Sequence, residues 1–244
     1  MYRHIPNFVT LLNLTCGAIA IVLSFDQALV AATYFIALAA VFDFFDGMLA
    51  RLLNAKSDIG LQLDSLADVV SFGLAPSFIL YEMMLAASNR PDYTIGGLEV
   101  FAFAAFVIAA FSALRLAKFN IDPAQKEGFV GLPTPANALF FASLPLVVVQ
   151  AIGRSHLILL GLIDNYWLLL VLAIIFSLLM VAPLPLFSLK LRNLSWSTNK
   201  LRYVFAALSV LLVVTISAYA LPLIIVLYLL MSVLFYKPQQ LAGK

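Results

Sequence analysis

The chain has 244 residues, of which 64% are hydrophobic and 11% charged, with a mean hydropathy of +1.06. That excludes a water-soluble globular domain. The net charge of +2 supplies no phosphate-tracking stripe, so no nucleic-acid partner is expected. The single cysteine, Cys16, excludes an intrachain disulfide and a cysteine-based zinc site.

About 20 apolar residues are needed to cross a bilayer core. Apolar runs of that order predict spans near 8–24, 28–53, 63–87, 98–118, 134–152, 166–184, 204–219 and 221–236. The last two are separated because one helix over both would far exceed the bilayer, and Ala220-Leu221-Pro222 offers a turn. The prediction is an all-α polytopic bundle of about eight spans, forming a single integral membrane domain over 1–244. Its catalytic core is expected over about 5–152, with additional C-terminal helices over about 166–236. The first apolar run is longer than a signal-peptide core and contains Asn13, which predicts an uncleaved first helix.

The basic residues orient this layout. One side receives Arg3, Arg51, Lys56, Arg115, Lys118, Lys126, Lys190, Arg192, Lys200, Arg202, Lys237 and Lys244, and the other only Arg90 and Arg154. The positive-inside bias predicts a cytoplasmic membrane protein whose N-terminus and site face the cytoplasm.

The first span opens with Pro6, Asn7, Thr10 and Asn13, polar groups repeating at about one helical turn. Capping and interhelical hydrogen bonding explain such a stripe as well as ligand contact does. The second and third spans then carry Asp43-x2-Asp46-Gly47-x2-Ala50-Arg51-x8-Gly60-x3-Asp64-x3-Asp68. Each carboxylate at membrane depth costs roughly 2.5–3.5 kcal/mol, so the four cost on the order of 10 kcal/mol. Packing does not account for that.

Helical spacing puts Asp43, Asp46, Gly47 and Ala50 on one face, and Gly60, Asp64 and Asp68 on another. Around a turn at Asn54–Ser57 the two acid pairs sit at matched depths, ~10–17 Å along their helices. An antiparallel hairpin therefore gathers four carboxylates around one cavity. Oxygen-only ligands select Mg²⁺, Mn²⁺ or Ca²⁺, and four carboxylates suit two ions in the arrangement used for in-line displacement at phosphorus. Gly47, Ala50 and Gly60 keep the face open, and Arg51 suits a phosphate. Intramembrane acids also build proton relays and cation transporters, but the small residues and arginine in register favour a diphosphate-bearing substrate.

This run resembles the signature of the CDP-alcohol phosphatidyltransferase family, with every signature position matched. The resemblance implies a membrane enzyme that moves a phosphatidyl group from a CDP-linked lipid to an alcohol and releases CMP. It implies that Asp43, Asp46, Asp64 and Asp68 bind two divalent metals and that Asp68 is the base. It places Gly47, Ala50, Arg51 and Gly60 at the cytidine diphosphate, with Pro6, Asn7 and Thr10 near the nucleotide. It also suggests a homodimer.

Three further segments, Asp64-Ser-Leu-Ala-Asp-Val-Val-Ser-Phe-Gly73, Arg115-Leu-Ala-Lys-Phe-Asn120 and Gly131-Leu-Pro-Thr-Pro-Ala136, are similar to the phosphatidylserine synthase branch of that family. That implies CDP-diacylglycerol and L-serine as substrates, with glycerol phosphate, inositol phosphate and choline as alternative acceptors. Ser71, Arg115 and Lys118 are candidate acceptor or phosphate contacts. Lys118 and Arg115 are equally explained by snorkelling at the interface.

Overall fold

The computed structural model describes residues 4–55, 57–121, 129–187 and 195–235. Arg3, Lys56, Lys126, Lys190, Arg192, Lys237 and Lys244, counted above for orientation, lie outside them. Two long helices come first, α1 (Ile5–Phe25) and α2 (Leu29–Leu52). Pro6 stands in the first turn of α1, where its missing N–H costs nothing.

The third span is composite: α3 (Asp58–Asp68), a π-helical segment (Val69–Leu74) and α4 (Ala75–Ala86). Directly after Asp68 the helix widens into a run of π-helical turns that leads into α4 without a break. A short 3₁₀ stretch, Val100–Phe106, leads into α5 (Val107–Ile121), and α6 covers Thr134–Gly153. The short α7 (Leu157–Ile163) meets α8 (Tyr166–Val181) at a 64° bend. α9 (Trp196–Ile216) and α10 (Ala220–Phe235) complete the described chain.

Among the described residues, six helical stretches are long and apolar enough to cross a membrane, or seven with the bent pair α7–α8. The expectation of eight differs only at the C-terminus, where Asn199–Phe235 is one stretch of 37 residues by length and composition. A straight helix of that length would extend ~55 Å, against ~30 Å of bilayer core. It would also hold Phe205 and Tyr228 some ~35 Å apart, whereas their rings are 5.8 Å apart.

The stretch therefore folds back as a hairpin, α9 against α10. Its turn is at Ser217–Tyr219, three residues earlier than the expected Ala220-Leu221-Pro222. Ser217 takes φ of 54°, and Gln150 of α6 holds the turn from both sides. The Gln150 amide donates to Ile216 O at 2.8 Å, and its oxygen accepts from Ala218 N at 2.7 Å.

Among the described residues three apolar clusters fix the bundle, the smallest joining Leu186 and Phe187 to α9 and α10. One joins α1, α2, the π segment and α4 through Cys16, Ala20, Ala32, Ile36, Phe72 and Ile79. Another joins α4, α5, α6 and α8 through Met84, Ile108, Phe141, Leu169 and Met180. Small residues on α1 permit close approach to the π segment. A Cβ on Gly17 would lie 2.4 Å from Ser71 Oγ and 2.6 Å from Ser71 Cα. Near the end of the bundle that carries the 53–57 turn, Phe129–Val130 pairs antiparallel with Pro185–Leu186 and ties the start of α6 to the chain after α8.

Candidate active site

The hairpin α2–α3 presents the aspartates as the spacing requires. α2 runs unbroken past Asp43, Asp46, Gly47 and Ala50. α3 is phased by Ser57, whose hydroxyl accepts the Gly60 N–H at 3.0 Å, with Asp58 in the first turn. One carboxylate oxygen each from Asp43, Asp64 and Asp68 lies within 4.8 Å of the others. Asp43 and Asp64 are within hydrogen-bonding reach of each other. Asp46 stands beside this trio with its Oδ2 buried and unpartnered, and Asp64 Oδ1 is likewise unpartnered.

Such groups cost several kcal/mol when left without a counter-charge. Oxygens bound to one Mg²⁺, Mn²⁺ or Ca²⁺ at about 2.0–2.6 Å lie no more than about 5 Å apart, so the trio fits a single hard cation. A second ion would draw on Asp46. The donor set is oxygen only, as that class of ion requires.

α1 supplies the opposite wall. The Thr10 hydroxyl donates to Pro6 O at 3.0 Å and lies against the Asp46 carboxylate. Asn7 Oδ1 is 3.1 Å from where a Cβ on Gly60 would be, so glycine there spares Asn7 and Ser57 a shift of a few tenths of an ångström. A Cβ on Gly47, by contrast, would meet nothing within 4 Å, which leaves an open floor beside Asp46. Arg51 is exposed in the last turn of α2, and Ala50 is half-buried on the face of the acids.

The three candidate acceptor contacts are placed differently from one another. Arg115 is not a snorkelling residue: it is 8% exposed, its Nε has no partner, and its charge acts on Asp68 and on Tyr228 of α10. Lys118, one turn on, is exposed. Ser71, one turn beyond Asp68, is fully buried, and its hydroxyl donates to Asn13 O at 2.9 Å.

Asn13, absent from the candidate set, is fully buried and donates from Nδ2 to Asp68 Oδ1 at 3.2 Å. The signal that could have found it is a polar residue one turn beyond Thr10 inside an apolar span. Asn120, at the end of α5, donates to Ser65 Oγ at 2.9 Å and fastens α5 to α3 beside the site.

A groove of about 890 Å³ lies at the opposite end of the bundle, between α2, α4, α6 and α7. It is walled mainly by apolar side chains and is remote from the aspartates. Chemistry, not cavity size, locates the site here.

An acid-lined hairpin with this motif has known counterparts. The sequence model of the CDP-alcohol phosphatidyltransferase family matches residues 3–182, which takes in α7 and α8 as well as the acid-bearing helices. The chain belongs to the CDP-alcohol phosphatidyltransferase family. A CDP-diacylglycerol–serine O-phosphatidyltransferase of Bacillus subtilis is 36% identical over 159 residues, 65% of this chain and 82% of that protein. One of Methanocaldococcus jannaschii is 34% identical over 180 residues, 74% of this chain and 72% of that protein. One of Mycobacterium tuberculosis is 36% identical over 153 residues, 60% of this chain and 50% of that protein.

Proposed function

We propose that the chain transfers a phosphatidyl group from CDP-diacylglycerol to the hydroxyl of L-serine, giving phosphatidylserine and CMP. The observation that carries the reaction class is the set of carboxylates converging at Asp43, Asp64 and Asp68, with partnerless buried oxygens on Asp46 and Asp64. The acceptor follows from the names of the relatives, and the buried guanidinium of Arg115, whose charge acts on Asp68, supports it.

The donor diphosphate lies over the open face of Gly47 and Ala50, where Gly60 lets α3 pack against Asn7, with Arg51 at its outer edge and Pro6, Asn7 and Thr10 along the nucleotide. Asp68 accepts the proton of the serine hydroxyl as its oxygen bonds to the lipid-bearing phosphorus. The bond from that phosphorus to the CMP oxygen breaks in line, and CMP leaves with the electron pair. Two divalent ions, held by Asp43, Asp46, Asp64 and Asp68, would neutralise charge on the transferring and leaving phosphates. Arg115 holds the serine carboxylate, since a guanidinium forks onto a carboxylate with two parallel hydrogen bonds. Lys118, exposed above it, guides anionic substrates in.

The site opens to the cytoplasm. Arg51, Lys118, Lys200 and Arg202 stand at its end of the bundle, against Arg90 and Arg154 at the other. With Arg115 inside the bundle, the orienting count becomes eleven against two, from twelve less one. The catalytic core is carried by the helices up to about residue 152, and a homodimer in the cytoplasmic membrane is the expected assembly.

An acceptor panel tests the reading: purified protein, CDP-diacylglycerol, Mn²⁺ or Mg²⁺, and each of serine, glycerol phosphate, inositol phosphate and choline. Phosphatidylserine with equimolar CMP is expected. Product from inositol phosphate or glycerol phosphate with none from serine would replace the acceptor. Metal uptake into sealed vesicles without CMP release would replace the reaction by transport.

A further inference from the structure

Asp68 is the last residue of α3, and the helix widens to π geometry at the next residue. Such insertions are rare and concentrate at functional sites. Here the wide turns are keyed to α1 at two levels. Ser71 Oγ donates to the backbone oxygen of Asn13 at 2.9 Å, and the Ser71 backbone rests directly on Gly17. From the same Asn13, the side-chain Nδ2 donates to Asp68 Oδ1 at 3.2 Å. One residue of α1 therefore grips both the acid and the segment that follows it.

Among the described residues the Asn13 amide has no other anchor. Its Oδ1 is buried without a partner, and the residue is wholly inaccessible. A buried amide with an unsatisfied oxygen costs stability, so hydrogen-bond economy does not explain its presence. What the amide does accomplish is to occupy one of the two oxygens of Asp68. The carboxylate so held is the one that shares a cluster with Asp43 and Asp64. Arg115, the cation acting on Asp68, has no hydrogen bond to it to compete for that role.

We propose that Asn13 is a positioning residue for Asp68: its amide fixes the carboxylate rotamer, so that the same oxygen always faces the ions and the acceptor hydroxyl. The role rests on the reading of Asp68 as base and metal ligand. Residues that orient a ligating carboxylate commonly affect metal affinity or activity by about 10- to 100-fold when removed. The orienting amide acts without touching substrate, so its loss falls on turnover and on ion binding rather than on donor binding.

The test compares Asn13→Leu, near-isosteric and apolar, and Asn13→Ala with the wild type and with Asp68→Asn, all as full-length protein in detergent. Turnover with CDP-diacylglycerol and serine, KM for the donor, and the midpoint of Mn²⁺-dependent thermal stabilisation are read for each. In whichever Asn13 variant is monodisperse, kcat should fall about 10- to 100-fold, and the Mn²⁺ midpoint should rise. KM for the donor and metal-free melting should stay near the wild-type values.

Turnover and Mn²⁺ midpoint both within about twofold of wild type overturn the proposal. So does a loss matched by an equal drop in metal-free melting, which would make Asn13 a packing residue only. If Asp68→Asn is itself fully active, the reading of Asp68 fails instead, and the two failures are distinct.

Discussion

Two ends of this bundle bury carboxylates, and they do so differently. At the end away from the 53–57 turn, Glu82 is 7% exposed, and the Gln27 amide donates to it. Its neighbours are likewise provided for: Asp164 accepts from Ser88 N at 3.2 Å, and Arg90 pairs with Glu99 at 3.5 Å. At the other end, Asp43, Asp46, Asp64 and Asp68 stand together, with two buried oxygens left without any hydrogen bond. An acid that serves the fold is given a partner by the fold. Acids that serve a reaction keep their coordination free, and the fold carries the cost.

That contrast predicts opposite outcomes for equivalent substitutions. Asp68→Asn removes the proton acceptor and should lower CMP release by at least about 10²-fold, while CDP-lipid binding persists. Full activity in that variant would remove the base. Arg115→Ala should raise KM for serine about 30-fold or more, because truncating one member of a buried charged contact costs 2 kcal/mol or more. Arg115→Lys should rescue little of it, since an ammonium cannot reproduce the fork. An unchanged KM for serine in both would place the acceptor elsewhere.

Gly17→Ala drives a methyl into the Ser71 backbone and should destabilise the protein by about 1–3 kcal/mol, read as an earlier thermal unfolding. Glu82→Gln should be the mildest. Gln27 keeps a partner there, so the stability change stays within about 1 kcal/mol, and serine-dependent turnover stays near wild type.

Much of the site could be read from the chain because its logic is local. Asp43, Asp46, Gly47 and Ala50 share a face by helical spacing alone, and Ser57 phases the partner helix within four residues. The depth match across a short turn then follows from the rise per residue. What escaped that reading depends on contacts between distant segments.

Asn13 touches Asp68 across 55 positions, and nothing in its neighbourhood distinguishes it from an interhelical glue residue. Arg115 near a helix end looks like a snorkelling side chain until the folded bundle buries it. The C-terminal turn falls at Ser217 rather than at Pro222 because Gln150, on another helix, supplies the hydrogen bonds for it. Pro222, near the start of α10, is tolerated in a first turn and did not have to break the helix.

The central claim is that the four aspartates are kept for divalent ions, whereas Glu82 is kept for the fold. Counting Mn²⁺ bound per chain at equilibrium tests it most directly, in the wild type, Glu82→Gln and the double variant Asp43→Asn/Asp64→Asn. The account predicts saturable binding of about two ions in the first two proteins and its loss in the third. Binding that survives in the aspartate variant, or that disappears with Glu82, would contradict it.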